Sequence, residues 1–140
     1  MTQAKSAQDT TTNCIISKDS IASTHRWTLH GKHLPAHFNW KVEFDDFNKT
    51  ITIYCFEAIS HQDDFLLHAA WAEKLSEGKF SDEVLVFRML DLKNEAYHTR
   101  NFYGLAVFGN EIVFDYGDNS MAKRKIKLKY EYSTAKSSSQ

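Results

Sequence analysis

Three histidines, His30, His33 and His37, stand close enough in sequence to raise the question of metal binding. Their spacing would place them together on a helix, but Gly31 and Pro35 break a helix there, and no carboxylate or cysteine completes a ligand set. They read as a surface loop, and no metal is expected. Cys55 has His61 and His68 nearby as possible bases for a nucleophile. It alternates with Ile51 and Ile53, however, which gives it the pattern of a small buried apolar residue. Asp45-Asp46 and Asp63-Asp64 are adjacent carboxylates. The first pair points to opposite faces of an extended segment and the second suits a helix start, so neither forms an acid–base couple. There is no phosphate-binding glycine loop, dinucleotide fingerprint or nucleophile elbow. No catalytic residue and no cofactor is expected, and the chain does not read as an enzyme.

One chemical feature remains. Lys123, Lys125, Lys127 and Lys129 alternate along one segment and would share one strand face. Residues 121–140 hold six basic groups and one acidic, Glu131. Such a face could take nucleic-acid phosphates. The simpler account is a solvated or salt-bridged face helped by Glu111 and Asp115.

The elements that carry these residues are mostly extended. Arg26–His30 reads as a short strand. In 38–44, Phe38, Trp40, Val42 and Phe44 alternate with Asn39, Lys41 and Glu43. Asp45–Lys49 is turn chemistry, and Thr50–Glu57 sets Ile51, Ile53 and Cys55 on one face. The period then changes. Ser60 and Asp63 suggest a helix start, and the spacing predicts a helix over 62–76 with a core face of Phe65, Ala69, Ala72 and Leu75, ended by Gly78. Four strands follow: Glu83–Asp91, apolar on both faces and so central; Glu95–Tyr103 after a Lys93-Asn94 turn; Glu111–Tyr116; and Ala122–Tyr132. A hairpin closing over 117–121 would set Asp115 against Lys123, Glu111 against Lys127 and Ile112 against Ile126, charges on one side and apolar groups on the other.

The chain has 140 residues, 42% hydrophobic and 14% aromatic, with a net charge of −1. This suits a single domain over 13–132, between a flexible N-terminal arm (1–12) and a flexible C-terminal tail (133–140). No apolar run approaches the ~20 residues of a membrane helix, and the polar start is no signal peptide. The chain is expected to be made and kept in the cytosol, with no membrane insertion. The expected fold is mainly β: an antiparallel sandwich or barrel segment with one packed helix.

The order of pieces over about residues 50–132 resembles the tail tube proteins of contractile-tailed phages and the tube subunits of contractile injection systems. Thr50–Phe56 leads into a helix with a mid-helix aromatic, Trp71. The turn Leu90-Asp91-Leu92-Lys93-Asn94-Glu95, the glycine–aromatic segment Tyr103-Gly104 and Phe108, the Asp115-Tyr116 strand, Asn119 in a polar loop, and the ending Tyr130-Glu131-Tyr132 fit the same pattern. Two departures stand out. Ala106-Val107 replaces the family's frequent proline, and the region before Thr50, which in the family carries a hairpin and a stacking loop, is short. The resemblance implies hexameric rings that stack, a barrel closed across subunits, and a channel for DNA ejection in a virion tail. Its implied partners are other copies of the chain and sheath, baseplate or tail-terminator proteins. The short N-terminal region leaves room for a baseplate initiator or hub, or an injection-system tube. An alternative of another class is a monomeric β-rich module with an aromatic pocket.

Overall fold

The structure, a computed structural model, describes residues 26–35, 39–57, 59–60, 65–114 and 122–137. Ten strands and one helix lie among them: β1 (Trp27–Gly31), β2 (Asn39–Asp45), β3 (Thr50–Phe56), β4 (Ile59–Ser60), β5 (Phe65–Leu66), α1 (Leu67–Ser76), β6 (Leu85–Leu90), β7 (Ala96–Tyr103), β8 (Ala106–Val113), β9 (Lys123–Lys129) and β10 (Tyr132–Ser137). Two four-stranded antiparallel sheets, ordered β2-β3-β9-β8 and β10-β7-β6-β1, form a sandwich, and β4 pairs with β5. The fold is mainly β with one helix.

Alternation builds the core. Ile51, Ile53 and Cys55 of β3 and Ile126 and Leu128 of β9 point inward and are fully buried, and Leu29, Leu85 and Phe102 of the second sheet meet them. Phe102 stacks on Phe44 at 5.1 Å and meets Tyr130 edge-on at 4.9 Å. The Arg100 guanidinium lies 4.7 Å from the Phe102 ring and is held by Asp46 at 2.9 Å. That hydrogen bond keeps the Asp46 carboxyl below its ordinary range, partly opposed by burial.

The helix begins at Leu67, not at residue 62. Phe65 therefore lies on β5, opposite Ser60, and not on the helix. The start is fixed by a distant group: the Glu57 carboxylate, just past β3, accepts the amide hydrogens of His68 (2.8 Å) and Ala69 (3.2 Å) and satisfies two otherwise orphan donors. The expected cap around Asp63 lies outside the described residues. The buried face is His68, Trp71, Ala72 and Leu75, while Ala69 is half-buried. Gly78, with φ of 77°, follows the last turn, where amides of Gly78 and Lys79 return to Leu75 and Lys74.

Three further expectations are corrected. Between Asn39 and Lys41 the register of β2 shifts, so Trp40 leaves the Val42–Phe44 face and packs on Tyr54 and Phe56 of the opposite face. The last strand does not run through to Tyr132. Buried Tyr130 and the following Glu131 turn the chain from the first sheet into the second, and Ser133–Ser137, expected as part of a tail, pair with β7 in β10. The β7–β8 link turns at the same corner. Its Gly104 has φ of 68°, and a Cβ there would lie 2.5 Å from the Glu131 stem. Finally, β6 is interior to its sheet, but of its residues only Leu85 is buried and the others are half-buried.

The open face and edges of the first sheet as candidate functional site

The first sheet has one face covered by the sandwich and one open. Strand β9 is central and alternates across the two: Arg124, Ile126 and Leu128 are buried, while Lys123, Lys125, Lys127 and Lys129 lie on the open face. Pairing with β3 sets Ile126 against Ile53 and Leu128 against Ile51, and so fixes the strand. On its other side β9 meets β8 in a register two residues from the expected one. Glu111 faces Lys125, not Lys127, and Ile112 faces Arg124, not Ile126. A slip of two keeps every side chain on its face while changing every partner. The stem of Lys127 instead crosses Gly109, where a Cβ would sit 3.1 Å from it, and Phe108 bulges out of the ladder. Asp115 lies outside the described residues.

Across the open face one row reads Lys41, Tyr54, Lys125, Glu111. The ammonium groups of Lys41 and Lys125 lie 4.7 and 5.6 Å from the Tyr54 ring centroid. The Tyr54 hydroxyl donates to Glu43 at 2.8 Å. That bond raises the Tyr54 pKa and lowers that of Glu43, and burial raises Tyr54 further. Trp40 adds a third ring beside Tyr54 (5.6 Å) and Phe56 (5.8 Å).

Beneath this face lies a polar knot that sequence reading missed. Arg124 reads as one more basic residue in a lysine-rich strand, yet its Nε donates to Glu57 and its Nη1 to Asn110 Oδ1 at 2.6 Å. His68 Nε2 pairs with Asn39 Oδ1 at 3.0 Å. The only signal available was parity: Arg124 shares the face of Ile126 and Leu128. Through Glu57, Asn39 and Asn110 the knot joins both edge strands and the helix. Cys55 lies close by, and burial, foremost, pushes its thiol pKa up to about 12. It is packing, not a nucleophile.

The edges are the other chemical feature. β2 and β8 end the first sheet, and each carries exposed apolar groups: Trp40 on β2, Phe108 and Val113 (53% and 62% exposed) on β8, and Phe114 just beyond. The four-residue β2–β3 turn presents Phe47, 94% exposed, while Asp45 bonds Asn48 beneath it. Among the described residues no group of three or more histidine, cysteine or acidic side chains could hold a metal. No described helix is long and apolar enough to cross a membrane.

Solved structures match this architecture over most of its length. A chain of the sheath–tube complex of an extracellular contractile injection system, PVC, in its extended state superposes with a TM-score of 0.56 at 10% identity, covering 86% of this chain and 94% of that one. Hcp1 from Salmonella typhimurium superposes at 0.55 and 9% identity, covering 82% and 86%. This is the tail-tube fold. A chain of the anti-feeding prophage baseplate, in a six-fold symmetrised structure, also has it, at 0.55 and 8% identity over 86% and 98%. No family model and no curated sequence matches the chain, so the likeness lies in the tail-tube fold and not in sequence.

Proposed function

We propose that this chain is a repeating, non-catalytic subunit of a contractile-type tail tube, closing into hexameric rings that stack into a conduit. The observation that carries the reading is the pair of strand edges left unpaired among the described residues, with Trp40 on one and Phe108 and Val113 on the other, on a sheet with an even number of antiparallel strands. Rotation about a ring axis would set β2 of one copy beside β8 of the next, running oppositely, so the antiparallel pattern continues without a break. Head-to-tail contacts of this kind close when the rotation does, and closure removes the exposed edges. The second sheet covers one face of the first, so the lysine-bearing face would border the channel. The likeness to chains of tube and six-fold baseplate assemblies supports six copies, with sheath, baseplate or terminator proteins as neighbours. The finer reading is a virion tail, assembled in a host cytoplasm, through which DNA leaves. A second reading, an initiator or hub at the end of such a tube, draws on the tight β2–β3 turn, which leaves little loop for reaching a neighbouring ring.

The test is sedimentation and negative-stain imaging of the purified chain across concentration. Annuli or fibres are expected. A Phe108→Glu/Val113→Glu double variant should abolish them while shifting folding stability by only about 0.5 kcal/mol per site, as for exposed positions. A lone monomer under all conditions, or annuli indifferent to the double variant, would overturn the reading.

A further inference from the structure

We infer that the open face of the first sheet binds single-stranded nucleic acid, with Lys125, Lys127 and Lys129 on the phosphates and the rings of Tyr54, Trp40 and Phe56 under the bases. Where this face lines a channel, and only that clause rests on the tube reading, the conduit holds its strand at rest instead of letting it slide.

The lysines of β9 project from every second residue, a charge about every 7 Å along one line. Alternation with buried Arg124, Ile126 and Leu128 keeps them all on the open side. Of the acidic groups of that face, Glu111 stands opposite Lys125 across the β8–β9 ladder, and Glu43 and Asp45 are engaged within the fold. Glu43 holds the Tyr54 hydroxyl and lies 3.6 Å from Lys41, and Asp45 caps its own turn through Asn48. Among the described residues no carboxylate comes within ion-pair distance of Lys125, Lys127 or Lys129. The chain as a whole carries −1, so this basic line is a local feature.

A row of lysines alone would accept any polyanion. The rings narrow the class. The Lys41 and Lys125 ammonium groups lie 4.7 and 5.6 Å from the Tyr54 ring centre, Glu43 holds its hydroxyl, and Trp40 lies 5.6 Å from Tyr54 and 5.8 Å from Phe56, so three rings stand beside the charges. A basic line that tracks a backbone beside rings that stack on bases is the arrangement that recognises single strands without sequence preference. Duplex bases are already stacked, and an acidic peptide has little to lay on the rings.

The experiment titrates a fluorescein-labelled oligothymidylate with the full chain and follows anisotropy. Binding is expected, weakening roughly 20- to 50-fold as salt rises from about 50 to about 200 mM, for three or four phosphates at ~0.7 counterion each. Lys125→Glu/Lys127→Glu should weaken binding more than about tenfold, and Tyr54→Leu roughly fivefold or more. Melting curves confirm that the variants fold, and Lys129→Glu is an independent second reading of the charge line. No anisotropy change at low salt, binding indifferent to these substitutions, or equal binding of polyglutamate would each overturn the inference. Sedimentation of the same samples separates the two readings. Binding by a chain that never forms annuli supports this face while ending the tube assignment, and annuli that bind no strand do the reverse.

Discussion

Replacing Glu57 by alanine tests how the fold is held together. The Glu57 side chain is almost fully buried and serves three donors: the amides of His68 and Ala69 at the helix start, and Arg124 Nε from β9. Removal leaves the buried guanidinium with Asn110 as its described hydrogen-bond partner. Breaking one side of a buried pair costs about 3–5 kcal/mol, and losing the helix cap adds about 1 kcal/mol. The expected loss is then about 4–6 kcal/mol, a large part of the ~5–15 kcal/mol of a typical domain. Melting should fall by roughly 10–20 °C. The assay is urea and thermal unfolding at a concentration where sedimentation shows one species. Glu57→Gln keeps an acceptor for the helix amides and should cost clearly less. A cycle with Arg124→Met should show a coupling well above ~1 kcal/mol, because an apolar side chain no longer needs the carboxylate. A Glu57→Ala variant within about 1 kcal/mol of wild type, or a coupling near zero, would refute the account.

Other consequences follow from single groups. His68 is wholly buried, its Nδ1 makes no hydrogen bond among the described residues though it lies 3.8 Å from Glu57, and burial, foremost, holds its pKa below 6.5. The unfolded chain therefore takes the proton first, so the urea midpoint should fall as pH drops below about 6.5 towards the folded pKa. Glu57 opposes this shift and Arg124 adds to it; a midpoint flat over that window, or the same slope in His68→Gln, would contradict the assignment. Cys55 should resist maleimide in the folded chain and react on unfolding; measured in a Cys14→Ser background, rapid native-state labelling would show that β3 is less well covered than described. Gly104→Ala forces a positive φ on a residue with a Cβ and crowds Glu131, and should destabilise the fold by about 1–3 kcal/mol, read from its urea midpoint.

Sequence alone determined the features that depend on local period and local backbone. Ile51, Ile53 and Cys55 take one side of β3 because successive residues alternate. The lysines of β9 share a face for the same reason. The Lys93-Asn94 turn is legible because Asn94 tolerates the φ of 63° it adopts, and Asp91 accepts the amides of Lys93 and Glu95. Gly78 likewise ends the helix in a conformation that glycine allows at little cost.

Tertiary structure decided whatever needed a partner from far along the chain. The helix begins at Leu67 because a carboxylate ten residues earlier waits for its amides. Glu111 meets Lys125 because β9 is already pinned by β3, and parity cannot tell a register from one displaced by two. Arg124 is buried because Glu57, 67 residues away, is there to receive it. Trp40 changes face at a bulge, and residues 133–137 become a strand because the edge of β7 is open to them. Periodicity assigns faces; pairing, capping and burial of charge depend on three-dimensional neighbours that no local pattern names.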